Sequence, residues 1–371
     1  MISKELINTL GFTAPIISSL VSMVLVWKGV RETKNSSQRN LHYHMIATYL
    51  VAALCWFGLV LYIANEKIFI YYHTLFLLTL MLDQVLIYKF VFDITSSLKS
   101  EKFSCLHYII PLLIVIVVGI FTLKTPFLEQ YMAIYGEVKT NGAKTFKTIY
   151  SITYFTFIIY NIMYPLLGLL HIGRYRREVV DYSADTQRSS MNWLYVMLIL
   201  TIITVPFPLS GLLTGTNAFT SLWFTLSGAL PTFVVYLVIC YNLLSNNYVT
   251  IEPDSPEESV KKNSIDKKKF ERYMREKKPY LNPQLRINDL AADMHTNRTY
   301  LSTFINQEYG MNFNRFINIY RLNELDELLK SAAAKERTNM ELLMMVGFNS
   351  YNSYIRVKTA ENRLGILKEF E

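Results

Sequence analysis

Cysteine is scarce in this chain, with three in 371 residues. Cys55 and Cys240 fall inside apolar runs and Cys105 in a loop, with no zinc-type His/Cys spacing around any of them. Neither a disulfide framework nor a metal site is therefore expected. Glycine-rich phosphate loops are missing, as is any nucleophile motif. The polar remainder after about Leu244 has no room for the ATP-binding domain of a membrane sensor kinase. These absences argue against an enzyme, and no cofactor is expected. Charge is also sparse, but only in the first two thirds of the chain, where long stretches carry almost none.

Those uncharged stretches are the dominant feature. Seven approach or exceed the length needed to cross about 30 Å of hydrocarbon: Leu6–Trp27, Met45–Ala64, Ile68–Phe92, Tyr108–Leu123, Thr148–Ile172, Trp193–Leu213 and Thr220–Leu244. The fourth is the shortest. Aromatics are abundant, with 26 Tyr and 22 Phe, and many sit near the ends of the runs, as interfacial belts do. The first run is long, is led only by Lys4 and is followed by no small-residue cleavage site, so all seven are expected in the mature protein. A multi-pass bundle in a lipid bilayer follows.

Lys and Arg set its orientation. Lys28, Arg31, Lys34 and Arg39 follow the first run, Lys99 and Lys102 the third, and Arg174, Arg176, Arg177 and Arg188 the fifth. The N-terminus has only Lys4, the second loop only Lys67 and the sixth loop none. The long fourth loop, with Lys124, Lys139, Lys144 and Lys147, is the exception. The alternation predicts an outside N-terminus and, after seven crossings, a cytoplasmic C-terminal domain. Residues 245–268 read as a polar linker, with EPDSPEES followed by a basic run suited to anionic headgroups or solvent. The polar remainder, residues 269–371, follows it.

In that remainder the stretch Ile287–Gly310, INDLAADMHTNRTYLSTFINQEYG, predicts two short helices around a tight turn. Leu290, Ala291 and Met294 recur at helical spacing, His295-Thr296-Asn297 breaks the pattern with cap-forming residues, and Tyr300, Leu301, Phe304 and Ile305 mark the buried side of a second helix. The other side carries Arg298, Thr299, Ser302, Thr303 and Asn306, groups that hydrogen-bond phosphates or base edges. Gly310 ends this helix and Asn312 caps a rod running to about Lys330. From Lys261 onward there are 20 Lys plus Arg against 14 Asp plus Glu, a modest basic surplus that suits a phosphate-binding face.

DLAADM…NRTYLSTFINQEYGMNFNRFINIYRL resembles the first half of an AraC/XylS-type DNA-binding domain, and GFNSYNSYIRVK (Gly347–Lys358) resembles the start of that family's second recognition helix. The resemblance spans about Phe270 to Lys358. It implies an all-α architecture: a seven-helix transmembrane bundle, then a cytoplasmic AraC-like double helix-turn-helix domain, an arrangement similar to regulators of Bacteroides-type bacteria. Carried over by position, base contacts fall on Thr299, Ser302 and Thr303, with Arg298 and Asn306 nearer the backbone, and on Asn352, Ser353 and Arg356 in the second unit. Double-stranded DNA is the implied partner. The second unit departs from the family pattern at Leu343, where a small residue is usual, and after Lys358, where the chain runs TAENRLGILKEFE.

In the bundle, Asp83 with Gln84 is the main polar intrusion into an apolar run. A carboxylate there faces the interior, where it serves equally as a protonated strut or as the receptor of a signal. Asn161, Tyr164 and Pro165, and Pro206 with Pro208, mark kinks that shape a pocket or simply interrupt packing, and His73 reads as interfacial. The combination predicts a one-component transcriptional regulator in a bacterial cytoplasmic membrane, sensing an unidentified small-molecule or envelope signal. A homodimer is compatible with paired DNA sites. A transporter or channel with a degenerate C-terminal docking module and a plain membrane anchor are the alternatives.

Overall fold

A computed structural model describes residues 4–96, 102–203, 225–251, 265–331 and 337–363. Among them the secondary structure is helical, and one isolated antiparallel bridge, Ser183 with Arg286, is the nearest thing to a sheet. The helices are α1 (Lys4–Glu32), α2 (Ser36–Ala64), α3 (Glu66–Thr95), α4 (Leu106–Lys124), α5 (Phe127–Ile134), α6 (Asn141–Glu178), α7 (Thr186–Ser190), α8 (Asn192–Ile203) and α9 (Leu230–Leu244). They are followed by α10 (Lys267–Lys277), α11 (Ile287–Asp293), α12 (Arg298–Tyr309), α13 (Phe313–Lys330), α14 (Asn339–Met345) and α15 (Tyr351–Arg363).

The chain divides into two compact units. The first comprises residues 1–94, 102–172 and 192–247; the second comprises 95–101, 173–191 and 248–371. The short segment 173–191, which the sequence assigns to a cytoplasmic loop, thus belongs with the C-terminal unit rather than with the bundle.

Among the described residues six helices are long and apolar enough to cross a membrane: Ile7–Glu32, Ser36–Ala64, Glu66–Thr95, Leu106–Lys124, Asn141–Asp181 and Ser227–Leu244. Within a bilayer a helix satisfies its own backbone, which is why such runs fold this way. The expected sixth crossing begins as α8, and its remainder, with Pro206, Pro208 and the start of the seventh run, lies outside the described residues. In the first unit α1 packs on α2 and α9. α3 is the most enclosed of the long helices, whereas α4 turns Ile109, Leu113, Ile116 and Ile120 outward. Exposed aliphatic side chains of this kind cost little against lipid tails.

Polar ties cross the bundle at several levels. Tyr72 Oη donates to Leu54 O at 2.8 Å and Tyr135 Oη to Tyr62 O at 2.9 Å. The long fourth loop is structured: α5 lies in it, and Gln130 Nε2 donates to Thr122 O and Thr125 O at 2.8 and 2.7 Å, meeting carbonyls that the end of α4 leaves unpaired. His73, near the start of α3, packs inside the protein. It is fully buried, with Nδ1 against Ile70 O at 2.6 Å and Nε2 against Thr122 Oγ1 at 3.2 Å, because aromatic rings of α6 cover it.

Candidate functional site

The first helix pair of the second unit forms where local signals place it. Asp289 accepts from Arg286 N at 2.9 Å at the start of α11, and Ile287, Leu290 and Ala291 are buried. His295 takes φ +52° in the turn, and Asn297 caps α12 by accepting from Tyr300 N at 2.9 Å. Leu301 and Ile305 face the core, with Phe304 stacked edge-on to Phe270 of α10. Gly310 closes α12 at φ +67°. Tyr300, read from the sequence as part of the buried side, is 41% exposed. It sits at the first turn, beyond the reach of the core that holds Leu301.

Thr299, Thr303 and Asn306 are exposed on α12 and Ser302 is half-exposed, so the structure gathers these four on one outward helix. Asn306 Nδ2 donates to Ser302 O at 3.0 Å, which leaves its carbonyl oxygen outward. Arg298 lies differently. Its guanidinium stacks over the Tyr182 ring at 5.2 Å, and the residue is half-buried.

α13 is an 18-residue rod capped by Asn312, with Phe313, Phe316, Ile317, Leu322 and Leu325 inward. The second helix pair hangs from its far half. Thr338 and Glu341 form a reciprocal capping box at the start of α14. Leu343 does not loosen the pair. It is buried in a cluster with Leu322, Leu325, Leu342, Val346, Phe348 and Val357, so its bulk is core. Gly347 turns the chain at φ +93°, and an added Cβ there would stand 2.6 Å from Tyr280 O. Arg315 and Glu361 join the rod to α15 through two bonds of 2.9 and 3.0 Å. On α15, Asn352 and Arg356 are exposed. Ser353 is not. It is 6% exposed, and its hydroxyl lies 2.7 Å from Thr186 Oγ1. Ser353 is thus withdrawn from the outward face on which the sequence places it, since the inward stripe of α15 passes through it.

That partner, Thr186, belongs to a strap that sequence reasoning did not find. Residues 179–190 run through the second unit with Val179, Tyr182, Ser183, Ala184 and Asp185 all buried. The strap holds the first helix pair through Ala184 N to Leu285 O at 3.1 Å and Ile287 N to Tyr182 O at 2.9 Å. It holds the rod through Asn314 Nδ2 to Ser183 O at 2.7 Å and Arg321 Nη1 to Ala184 O at 3.0 Å. It holds the second pair through Asn349 Nδ2 to Asp185 Oδ2 and Ser350 Oγ to Gln187 Oε1, each at 2.6 Å.

Arg321 is the centre of this arrangement. It is 2% exposed and also donates to Tyr280 O and Asn282 O, both at 2.8 Å. Burial lowers its pKa to about 10, still well above neutrality, so the cation persists. Asp185 caps α7 by accepting from Gln187 N and Arg188 N, yet burial outweighs these bonds and holds its carboxyl above the usual carboxylate range.

The polar intrusion in the first unit lies against a cavity of about 120 Å³. Asp83 and Gln84 of α3 line it, as do Trp56, Asn161 and Tyr236 from α2, α6 and α9. Tyr236 Oη donates to Asp83 Oδ2 at 3.5 Å, while Asp83 Oδ1 is buried with no hydrogen-bond partner among the described residues. Asn161 joins this cavity; Tyr164 instead lies 3.1 Å from His107 Nδ1.

In comparison with known proteins, no family model, no curated protein and no solved structure matches this chain.

Proposed function

We propose that this chain is a one-component transcriptional regulator embedded in a bacterial cytoplasmic membrane, with its N-terminus outside and the second unit on the cytoplasmic side. The second unit binds double-stranded DNA, and a signal received by the bundle changes how it does so. One observation carries this reading above the others: two helix-turn-helix pairs sit on a single rod, each presenting an exposed polar row, Thr299, Thr303 and Asn306 on α12 and Asn352 with Arg356 on α15. Such helices address major-groove edges, and two of them on one rod suit successive turns of DNA.

The strap supports a route for the signal. It follows α6 and precedes α8, yet it contributes buried residues to the DNA-binding unit. A ligand that favours one arrangement of the bundle then shifts the population of strap conformations, and with it the relative placement of α12 and α15. Homodimerisation adds effective concentration on paired sites. No catalysis and no cofactor enter this scheme.

Genome-wide crosslinking of DNA to the full-length protein in its membrane tests the reading, with a Thr299→Ala/Thr303→Ala variant in parallel. Discrete sites that vanish in the variant are expected. Equal enrichment in both, with the proteins equally abundant, sinks it and favours a transporter or docking role. A third sample, with the long apolar helices replaced by an unrelated anchor, is expected to keep its sites and lose signal response.

A further inference from the structure

The geometry points to the cavity beside Asp83 as a binding site for a small organic ammonium ion, one protonated nitrogen carried on a single ring-sized apolar body. This inference rests on the sensing role proposed for the bundle and names the class of ligand.

The size of the cavity sets the first limit. Its volume of about 120 Å³ is close to that of engineered apolar cavities that take up benzene. Its walls set the second. Trp56, Leu59, Leu80, Phe157 and Val235 supply apolar surface from α2, α3, α6 and α9, and the two aromatic rings can also face a cation.

The hydrogen-bonding inventory of the wall sets the third. Thr201 Oγ1 donates to Leu198 O at 2.7 Å and Thr232 Oγ1 to Gly228 O at 2.8 Å. Asn161 Nδ2 donates to Phe157 O at 2.9 Å, and the Tyr236 hydroxyl donates to Asp83. The Thr201 and Thr232 hydroxyl protons and one Asn161 amide proton are thus turned toward the helices' own carbonyls, and the Tyr236 hydroxyl proton toward the carboxylate. Lone pairs remain, foremost Asp83 Oδ1, which is buried with no partner among the described residues. A buried carboxylate oxygen with no partner selects a donor, and a carboxylate in hydrocarbon selects a positively charged one. Anions, carbonyl compounds and purely apolar guests lack the proton that Oδ1 needs.

The test uses the full-length protein in lipid nanodiscs and labelled benzylammonium, reading the saturable, displaceable component of binding. Toluene serves as the neutral probe of the same shape and sodium ion as the inorganic cation. The expected result is saturable binding that weakens at least tenfold in Asp83→Asn, with the thermal midpoint of the variant at or above that of the parent. Toluene is expected to compete weakly and equally in both proteins. Leu59→Phe fills the cavity without touching the carboxylate and is expected to abolish binding too, which covers the case in which Asp83→Asn fails to fold.

Absence of a saturable component in protein that melts normally overturns the proposal, and so does unchanged affinity in Asp83→Asn. Asp83-dependent stabilisation by sodium alone, with none by benzylammonium, overturns it in favour of an inorganic cation site. The DNA-crosslinking experiment is read separately. Lost amine binding with intact DNA sites removes only this inference, whereas amine binding without DNA sites removes the regulator reading and leaves the cavity assigned.

Discussion

The two helix-turn-helix pairs use the same plan and differ in what holds them. In the first, a small residue, Ala291, sits in the buried contact of α11, Asn297 caps α12 from within the turn, and Gly310 closes it in open space. In the second, Leu343 occupies the helix contact, Gly347 is wedged against Tyr280 O, and α15 is tied through Asn349, Ser350 and Ser353 to a strap far away in sequence. Both pairs meet the strap, the first through backbone bonds at Leu285 and Ile287 beside its own local caps, the second through the side chains of Asn349, Ser350 and Ser353. Local completeness goes with a legible sequence pattern. The unusual second pattern reflects a different support, with no loss of packing.

The largest expected effect removes the shared support. Arg321→Met leaves the carbonyls of Ala184, Tyr280 and Asn282 buried without this donor, at about 3 kcal/mol or more. Hydrogen exchange in the full-length protein should show protection falling at Ala184 N and Ile287 N together with the α15 amides. Protection retained in α15 would mean that the strap does not hold the second pair.

Next come the two turn glycines, which sharpen the contrast. Gly310→Ala costs only about 1 kcal/mol from its positive φ, since nothing stands within 4 Å of the new Cβ. Gly347→Ala carries the same penalty plus a clash with Tyr280 O, with Arg321 Nε next at 2.9 Å. Its exchange protection across α14 and α15 should fall further than that of α12 in Gly310→Ala; equal losses would erase the distinction.

The exposed polar rows proposed to meet DNA give a third comparison. Thr299→Ala with Thr303→Ala should weaken specific binding about thirtyfold or more and relax base preference, on a scale of roughly 1–3 kcal/mol per good base contact. Ser353→Ala should leave the preferred sequence unchanged while loosening the strap by about 1 kcal/mol. Selection of bound sequences from a random pool, done with both variants, distinguishes a reading residue from a supporting one.

The smallest effect is a pH dependence. Asp185 has a higher pKa folded than unfolded because of burial. Such a carboxyl favours the folded strap most below its unfolded pKa, and that contribution fades as pH rises through the folded one. Strap protection, corrected for intrinsic exchange, should therefore rise as pH falls from neutral into the mildly acidic carboxylate range. Asp185→Asn keeps the helix cap and should flatten the rise.

What the sequence disclosed follows from range. The long apolar runs, the caps at Asn297 and Asn312 and the stop at Gly310 act within a few residues, and all are visible in the order of side chains. The strap was not visible, since Thr186 meets Ser353 across 167 positions and Ala184 meets Arg321 across 137. Asp185-Thr186 signals a helix start, but nothing in it names the partner. Nothing in the local pattern singles out Arg321, and Ser353 reads as a candidate contact on a recognition helix. Asp83 could be singled out because charge is rare in its surroundings; the cavity beside it depends on five helices and had no pattern of its own.

The buried strap also bears on how this protein can be cut. A protease acting between the last long apolar helix and α10 would release a fragment carrying both helix-turn-helix pairs but not residues 179–190. That fragment would expose the seat of Tyr182 and Ala184 to water and leave the Arg321 guanidinium short of an acceptor. Its instability would make intramembrane release of a diffusible factor a poor way to transmit a signal here. Under the proposed regulatory role, the second unit then works while tethered, and the reachable part of the chromosome comes to the membrane.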